Sequence, residues 1–121
     1  MNDWNAYKLW RPRFLEVLDE RYYPIDWLDA QVIAGNVILY TTPDAAIIFE
    51  VKRYPSGALD IHGLLAAGDL SAIRDVLIPA SLSYGGSIGA ISATIESREG
   101  WVRSTKDMGF DLYQTTVRKM L

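Results

Sequence analysis

Apolar residues near the start of the chain recur with a helical period. Trp4, Tyr7 and Trp10, three apart, fall on one stripe of a short helix. That stripe is either core and lid packing or a surface for a partner. Pro12 breaks a continuous helix but suits the first turn of a new one. A separate helix is therefore predicted over about 12–20, with Phe14, Leu15, Val17 and Leu18 on its buried side and Tyr22-Tyr23-Pro24 ending it. Residues 1–24 thus form an aromatic-rich helical segment ahead of the rest.

Asp26 fits the N-cap of a second helix over 27–34, and Gly35 fits the left-handed position past its end. The pattern then turns to short apolar runs. Val37-Ile38-Leu39-Tyr40 reads as a strand and Thr42-Pro43-Asp44 as a turn. A second strand covers 46–53, rich in Ile47, Ile48, Phe49 and Val51. Tyr54-Pro55-Ser56-Gly57 turns the chain into a third strand, 58–65. Three strands joined by short turns predict an antiparallel meander.

Helical spacing returns after Gly68. Asp69 is a good N-cap, and Leu70, Ile73, Val76, Leu77 and Ala80 recur on one face. Pro79 is expected to kink or divide this helix, and Gly85-Gly86 to end it. The apolar run 88–95 reads as a fourth strand. Residues 98–108 read as an amphipathic helix stopped by Gly109, and the alternating run 110–121 as a last strand, antiparallel to its neighbour. Trp101 is expected to be mostly buried, with Val102 also turned to the core. Gly100 is poor in a helix interior, which favours a later start. The predicted order is ααβββαβαβ. It describes one α/β (α+β) domain over 1–121, with a mixed, mostly antiparallel sheet and flanking helices.

Half of the 121 residues are hydrophobic and 12% are aromatic, enough for a buried core in a single domain. Cys is absent, which removes disulfides, a thiol nucleophile and thiolate metal ligands. No apolar run reaches the roughly 18 residues of a membrane helix. The first residues, MNDWNAYKLWRPRF, lack the apolar centre of a secretory signal. These features predict no membrane partner and a cytoplasmic location. The net charge of −3 argues against a nucleic acid partner. Charge is uneven: Arg98, Arg103, Lys106, Arg118 and Lys119 against Glu99, Asp107 and Asp111 leave 98–121 at +2, so 1–97 carries −5.

Ser97-Arg98-Glu99-Gly100-Trp101-Val102-Arg103, then Met108-Gly109-Phe110, then Lys119-Met120-Leu121, resembles small bacteriophage proteins similar to the GNAT family of N-acetyltransferases. In that family a helix ends in a Gly-Phe step and leads into the last strand. The resemblance covers roughly residues 25 to 121. It implies acetyl-CoA or another acyl-CoA as cofactor and an amine as acceptor. Family members hold acyl-CoA through backbone amides between the fourth strand and the next helix, where free N–H groups and the helix dipole attract pyrophosphate. The corresponding segment here is Gly63-Leu64-Leu65-Ala66-Ala67-Gly68-Asp69. The resemblance makes Leu65, Ala66, Ala67 and Gly68 the cofactor contacts, and Arg98 and Arg103 the phosphate contacts. The glycines lack the family spacing Gln/Arg-x-x-Gly-x-Gly/Ala, and Asp69 would occupy the same N–H donors. Thr105 stands where many members carry a Tyr general acid. Trp101 fits the groove that CoA would use.

Glu50 and Asp60 are the candidate bases for the amine if they share a cleft. Alternation puts Glu50 opposite Phe49 and Val51, so a solvated sheet face is the other reading. His62, the one histidine, sits among Leu59, Ile61 and Leu64 as a packed imidazole or a base. No metal-ligand spacing occurs. Arg98, Arg103 and Lys106 are either anion contacts or a solvated helix face. Two functions stay open. One is an acyl-CoA-dependent N-acyltransferase. The other is a phage-encoded accessory protein of the same fold, in the host cytoplasm, acting through protein partners or self-association.

Overall fold

The computed structural model describes residues 1–96 and 100–121. The chain begins with one helix, α1 (Trp4–Val17), not two. Asp3 caps it, accepting from the Ala6 N–H at 3.1 Å. Pro12 lies inside. An interior proline costs about 3 kcal/mol, and tertiary packing outweighs it here. Tyr7 and Phe14, two turns apart on either side of Pro12, are both fully buried against the same core. Pro12 and Lys8, whose carbonyl loses its donor, lie on the exposed side.

Helix α2 (Ile25–Ala34) starts a little earlier than the pattern predicts. Pro24 is its N-cap, and Asp26 sits in the first turn, where a negative charge still favours the dipole. Gly35 ends it at φ 74°, a left-handed conformation that costs glycine little. Arg11 holds Asp29 with two bonds of 2.9 Å, and the Tyr7 hydroxyl donates to the same carboxylate at 2.6 Å. This trio fastens α1 to α2.

Strands β1 (Ile38–Thr41), β2 (Ala45–Arg53) and β3 (Leu59–Gly68) form the expected antiparallel meander. β4 (Ser92–Ile95) joins β3 in parallel, so the sheet order is β1-β2-β3-β4. β2 is covered on both faces. Ala46 and Ile48 enter the core under α1 and α2. Ala45, Ile47 and Phe49 enter a second core on the other side. Burial on both faces explains its unbroken apolar run.

The second core is roofed by one long helical segment. α3 (Leu70–Ala72) passes through a wider turn, Ile73–Leu77, into α4 (Ile78–Ser87). The widening answers Pro79. A proline ring clashes with the carbonyl four residues back, and an i→i+5 turn draws that carbonyl aside. Gly85 and Gly86 do not stop the helix; both lie inside α4. A methyl group at Gly85 would sit 2.6 Å from Ile61 Cγ1, so this glycine serves close packing of α4 on β3. The helix therefore outlasts the prediction, and the strand expected from Ile88 shrinks to β4.

Helix α5 (Gly100–Thr105) tightens into a 3₁₀ turn, Lys106–Met108, and ends at Gly109, φ 89°. Its expected start at Arg98 lies outside the described residues. The predicted last strand is absent: Phe110 to Leu121 carry no regular structure, and Asp111 to Leu121 are all exposed. Without a ladder partner or buried side chains, nothing offsets the entropy of ordering the segment. The observed order is ααβββαβα. The fold class stands, as a mixed, mostly antiparallel sheet with helices on both faces. Among the described residues, no helix is long and apolar enough to cross a membrane.

Candidate functional site

The sheet's irregular point is on β3. Ile48 pairs with Leu65 and Phe49 with Gly63, so Leu64 is an extra residue, a β-bulge. Leu64 and Leu65 then both turn toward the core under α1 and α2. Pairing with β4 runs only from Asp60↔Ser92 to Gly63↔Ile95 and ends where the bulge begins. From Leu64 to Gly68, β3 has no partner on that side among the described residues. Beside this opening lies a small apolar cavity of about 40 Å³, lined by Phe49, Ile61, Gly63, Leu82, Ile95 and Phe110. Trp101 does not line it.

The four predicted cofactor contacts close β3. Leu65 packs toward one core, Ala66 toward the other, and Ala67 is buried. Gly68 is exposed at φ 100°, and any side chain there would strike the Asp44 carbonyl. What these residues offer a ligand is backbone. Asp69 Oδ2 then accepts from the Ala72 N–H at 2.9 Å, closing one helix-start donor. Its charge stands where a phosphate would be drawn.

A polar cluster bridges β3 and β4. Asp60, 1% exposed, accepts from the Ser92 and Thr94 hydroxyls, each at 2.7 Å. Thr94 spends its proton on Asp60. The 2.7 Å contact to His62 Nδ1 must therefore be donated by the ring, which fixes the proton on Nδ1. His62 Nε2 faces the exposed Glu96 carboxylate at 3.4 Å. Glu50 pairs across from His62, and Lys52 across from Asp60. Glu50 and Asp60 thus share a face as diagonal neighbours, but only Glu50 is partly exposed. Both Asp60 oxygens are engaged. Ser92 and Thr94 do not stand out from the sequence as site residues. A signal for them exists: Asp-x-His and Ser-x-Thr-x-Glu keep period two within apolar strands.

A basic cluster forms apart from this. Arg103 and Lys106 border an open cleft with Arg74, Ser104 and Asp107. Arg74 donates to both Asp107 oxygens, at 2.7 and 2.6 Å, and its Nε is buried without a hydrogen-bond partner. Sequence reasoning misses Arg74 because it comes from a helix 33 residues away. Arg98 lies outside the described residues. Thr105 is 2% exposed, and its hydroxyl donates to the Trp101 carbonyl at 2.5 Å. Trp101 packs at the rim of the second core with most of its surface covered, while Val102 is partly buried without joining that core.

Away from these clusters, Tyr7 and Asp29 are among the groups with displaced titrations. Burial, with Asp29 beside it, pushes the Tyr7 phenol well above its ordinary range. The Arg11 guanidinium holds the Asp29 carboxyl below the usual carboxylate value. Among the described residues no three His, Cys, Asp or Glu side chains converge to hold a metal.

No protein-family model matches the chain, and no curated protein sequence matches it. Solved structures do. A probable acetyltransferase shares 13% identity at a TM-score of 0.71, covering 97% of this chain and 91% of that one. A predicted acetyltransferase from Clostridium acetobutylicum, solved with acetyl-CoA, shares 8% at 0.69, covering 98% and 92%. Glucosamine-6-phosphate N-acetyltransferase from Arabidopsis thaliana shares 10% at 0.66, covering 96% and 91%. The chain has the fold of these acetyltransferases, and at such identities the likeness is one of fold.

Proposed function

We propose that this chain keeps the acyltransferase fold for protein contact rather than acyl transfer, as a phage-encoded accessory protein in the host cytoplasm. The observation that carries this reading is the Asp69 cap on the Ala72 N–H. A carboxylate there fills a helix-start donor and repels a diphosphate. Two arrangements support it. Thr105, standing where the resemblance expects a phenol acid, is buried and bonded back to its own helix. Asp60, one of two candidate bases, has both oxygens satisfied by hydroxyls.

The opening between β3 and β4 favours a second reading, an acyl-CoA-dependent N-acyltransferase. There the free edge from Leu64 to Gly68 offers backbone groups to an extended ligand, Arg103 draws phosphate, and Glu50 takes the amine proton.

Calorimetry with acetyl-CoA separates the two. The wild-type chain is expected to give no measurable heat up to about 1 mM, a binding energy weaker than about −4 kcal/mol. Asp69→Ser keeps a cap and removes the charge. It is expected to bind more tightly at low salt, with the gain shrinking as salt rises. Micromolar binding by the wild type would overturn the first reading and support the second. No binding by either protein keeps the first reading and moves its cause from the Asp69 charge to the narrow cavity under Phe110.

A further inference from the structure

The sheet has two outer strands, β1 and β4. An outer strand presents unpaired N–H and C=O groups, a template on which another chain can add a strand. On β1, alternation decides which groups those are. The Thr42 N–H donates to the Ala45 carbonyl at 2.8 Å where the hairpin closes. Counting back by two, Tyr40 and Ile38 bond to their β2 partners, Ile47 and Phe49. Leu39 and Thr41 therefore turn their backbone groups outward, and Val37 follows the same parity. β1 reads Ile38-Leu39-Tyr40-Thr41, strand-favouring types with no charge and no proline to discourage a newcomer.

One side chain occupies that edge. Asn2 Oδ1 accepts from the Leu39 N–H at 2.9 Å, and Asn2 Nδ2 donates to the Val37 carbonyl at 2.7 Å. In a parallel ladder a residue bonds its neighbour strand in this way, donating to one residue and accepting from the residue two further on. The Asn2 amide thus stands in for one residue of a fifth strand. Its Nδ2 also donates to the Val32 carbonyl at 3.1 Å, near the end of α2. Both amide protons are then engaged. Asp3, the next residue, caps α1. One amide therefore joins the start of α1, the end of α2 and the edge of β1.

We infer that Asn2 is a guard on the β1 edge, a side-chain amide seated where an added strand would bond. It takes the Val37 carbonyl and the Leu39 N–H, so the outer edge of a four-residue strand keeps too few free groups for a ladder. A second copy of this chain, adding β1 to β1, must first displace Asn2 and break its three bonds. The inference goes beyond the protein-contact reading and does not rest on it. It removes β1 from the surfaces open to a partner while Asn2 is seated.

Amide exchange on the full wild-type chain tests the seat itself. Leu39 and Thr41 turn to the same edge, and Asn2 meets the Leu39 N–H. The Leu39 amide is expected to exchange at least about tenfold more slowly than that of Thr41. Asn2→Asp keeps the shape of the side chain and loses both donors. It is expected to remove that difference and to self-associate reversibly, at least about tenfold more tightly than the wild type. Sedimentation equilibrium from about 10 µM to about 200 µM reads the association. Thr41→Pro, at an exposed position, removes an outward N–H and spares the β2 ladder. Added to Asn2→Asp, it is expected to return association to the wild-type level. Equal exchange of Leu39 and Thr41 in the wild type overturns the inference, a result that needs no variant to fold. So does an Asn2→Asp chain that associates no more than the wild type, because the amide then only anchors α1. Association that Thr41→Pro leaves unchanged also overturns it, because another surface is then in use.

Discussion

The two sides of the sheet are built to different standards. Under α1 and α2, Tyr7, Phe14, Leu28 and Ile48 are fully buried, and an Arg-Asp-Tyr trio locks the two helices together. On the other side, the long helical segment packs well through Ile73 and Leu77, but the C-terminal part does not. Trp101, Met108 and Phe110 only lean on that core, and Asp111 to Leu121 are exposed. The first side commits its apolar surface to the fold. The C-terminal edge holds apolar surface back, and local stability varies along a chain with such differences in burial.

Breaking the well-built side should cost most. Phe14→Ala removes a fully buried ring two turns from Tyr7. It is expected to lower unfolding free energy by about 3–5 kcal/mol, read from urea unfolding. Trp101→Ala, at the rim of the second core, is expected to cost about 1–2 kcal/mol. Equal losses at the two sites would erase the contrast.

The smallest effect sharpens the comparison through pH. Asp29 has a lowered folded value, held first by the Arg11 hydrogen bonds. Its contribution is fully present above the unfolded carboxylate value of about 3.9 and is lost as pH falls below it. Tyr7 has the opposite sign. Its folded value is raised by burial, so its contribution is full below about pH 10 and lost as pH rises further. Thermal unfolding of Asp29→Asn and Tyr7→Phe from pH 3 to pH 11 checks both. Asp29→Asn is expected to flatten part of the acid limb and Tyr7→Phe part of the alkaline limb, each by about 1 kcal/mol or less after solvent screening. A wild-type profile unchanged by either variant would mean the trio does not couple α1 to α2.

Local chemistry alone determined much of this protein. The meander, the Gly35 and Gly109 stops, the Asp69 cap and the disturbance at Pro79 are set by φ preference, hydrogen-bond capacity and apolar period, which act within a few residues. The mixed α/β class followed from their order. Tertiary structure decided what depends on distant surfaces. α1 runs through Pro12 because Tyr7 and Phe14 share a core, and α4 runs through Gly85 because Ile61 leaves no room for a side chain. Residues 110–121 have strand chemistry but no strand, since a strand needs a partner that local sequence cannot supply. The candidate site divides the same way. Glu50, His62 and Arg103 stood out as residue types, while the hydroxyls around Asp60, the Arg74–Asp107 pair and the opening at Leu64 exist only where separate strands and helices meet. Period and propensity act along the chain; pairing, closure and burial act across it.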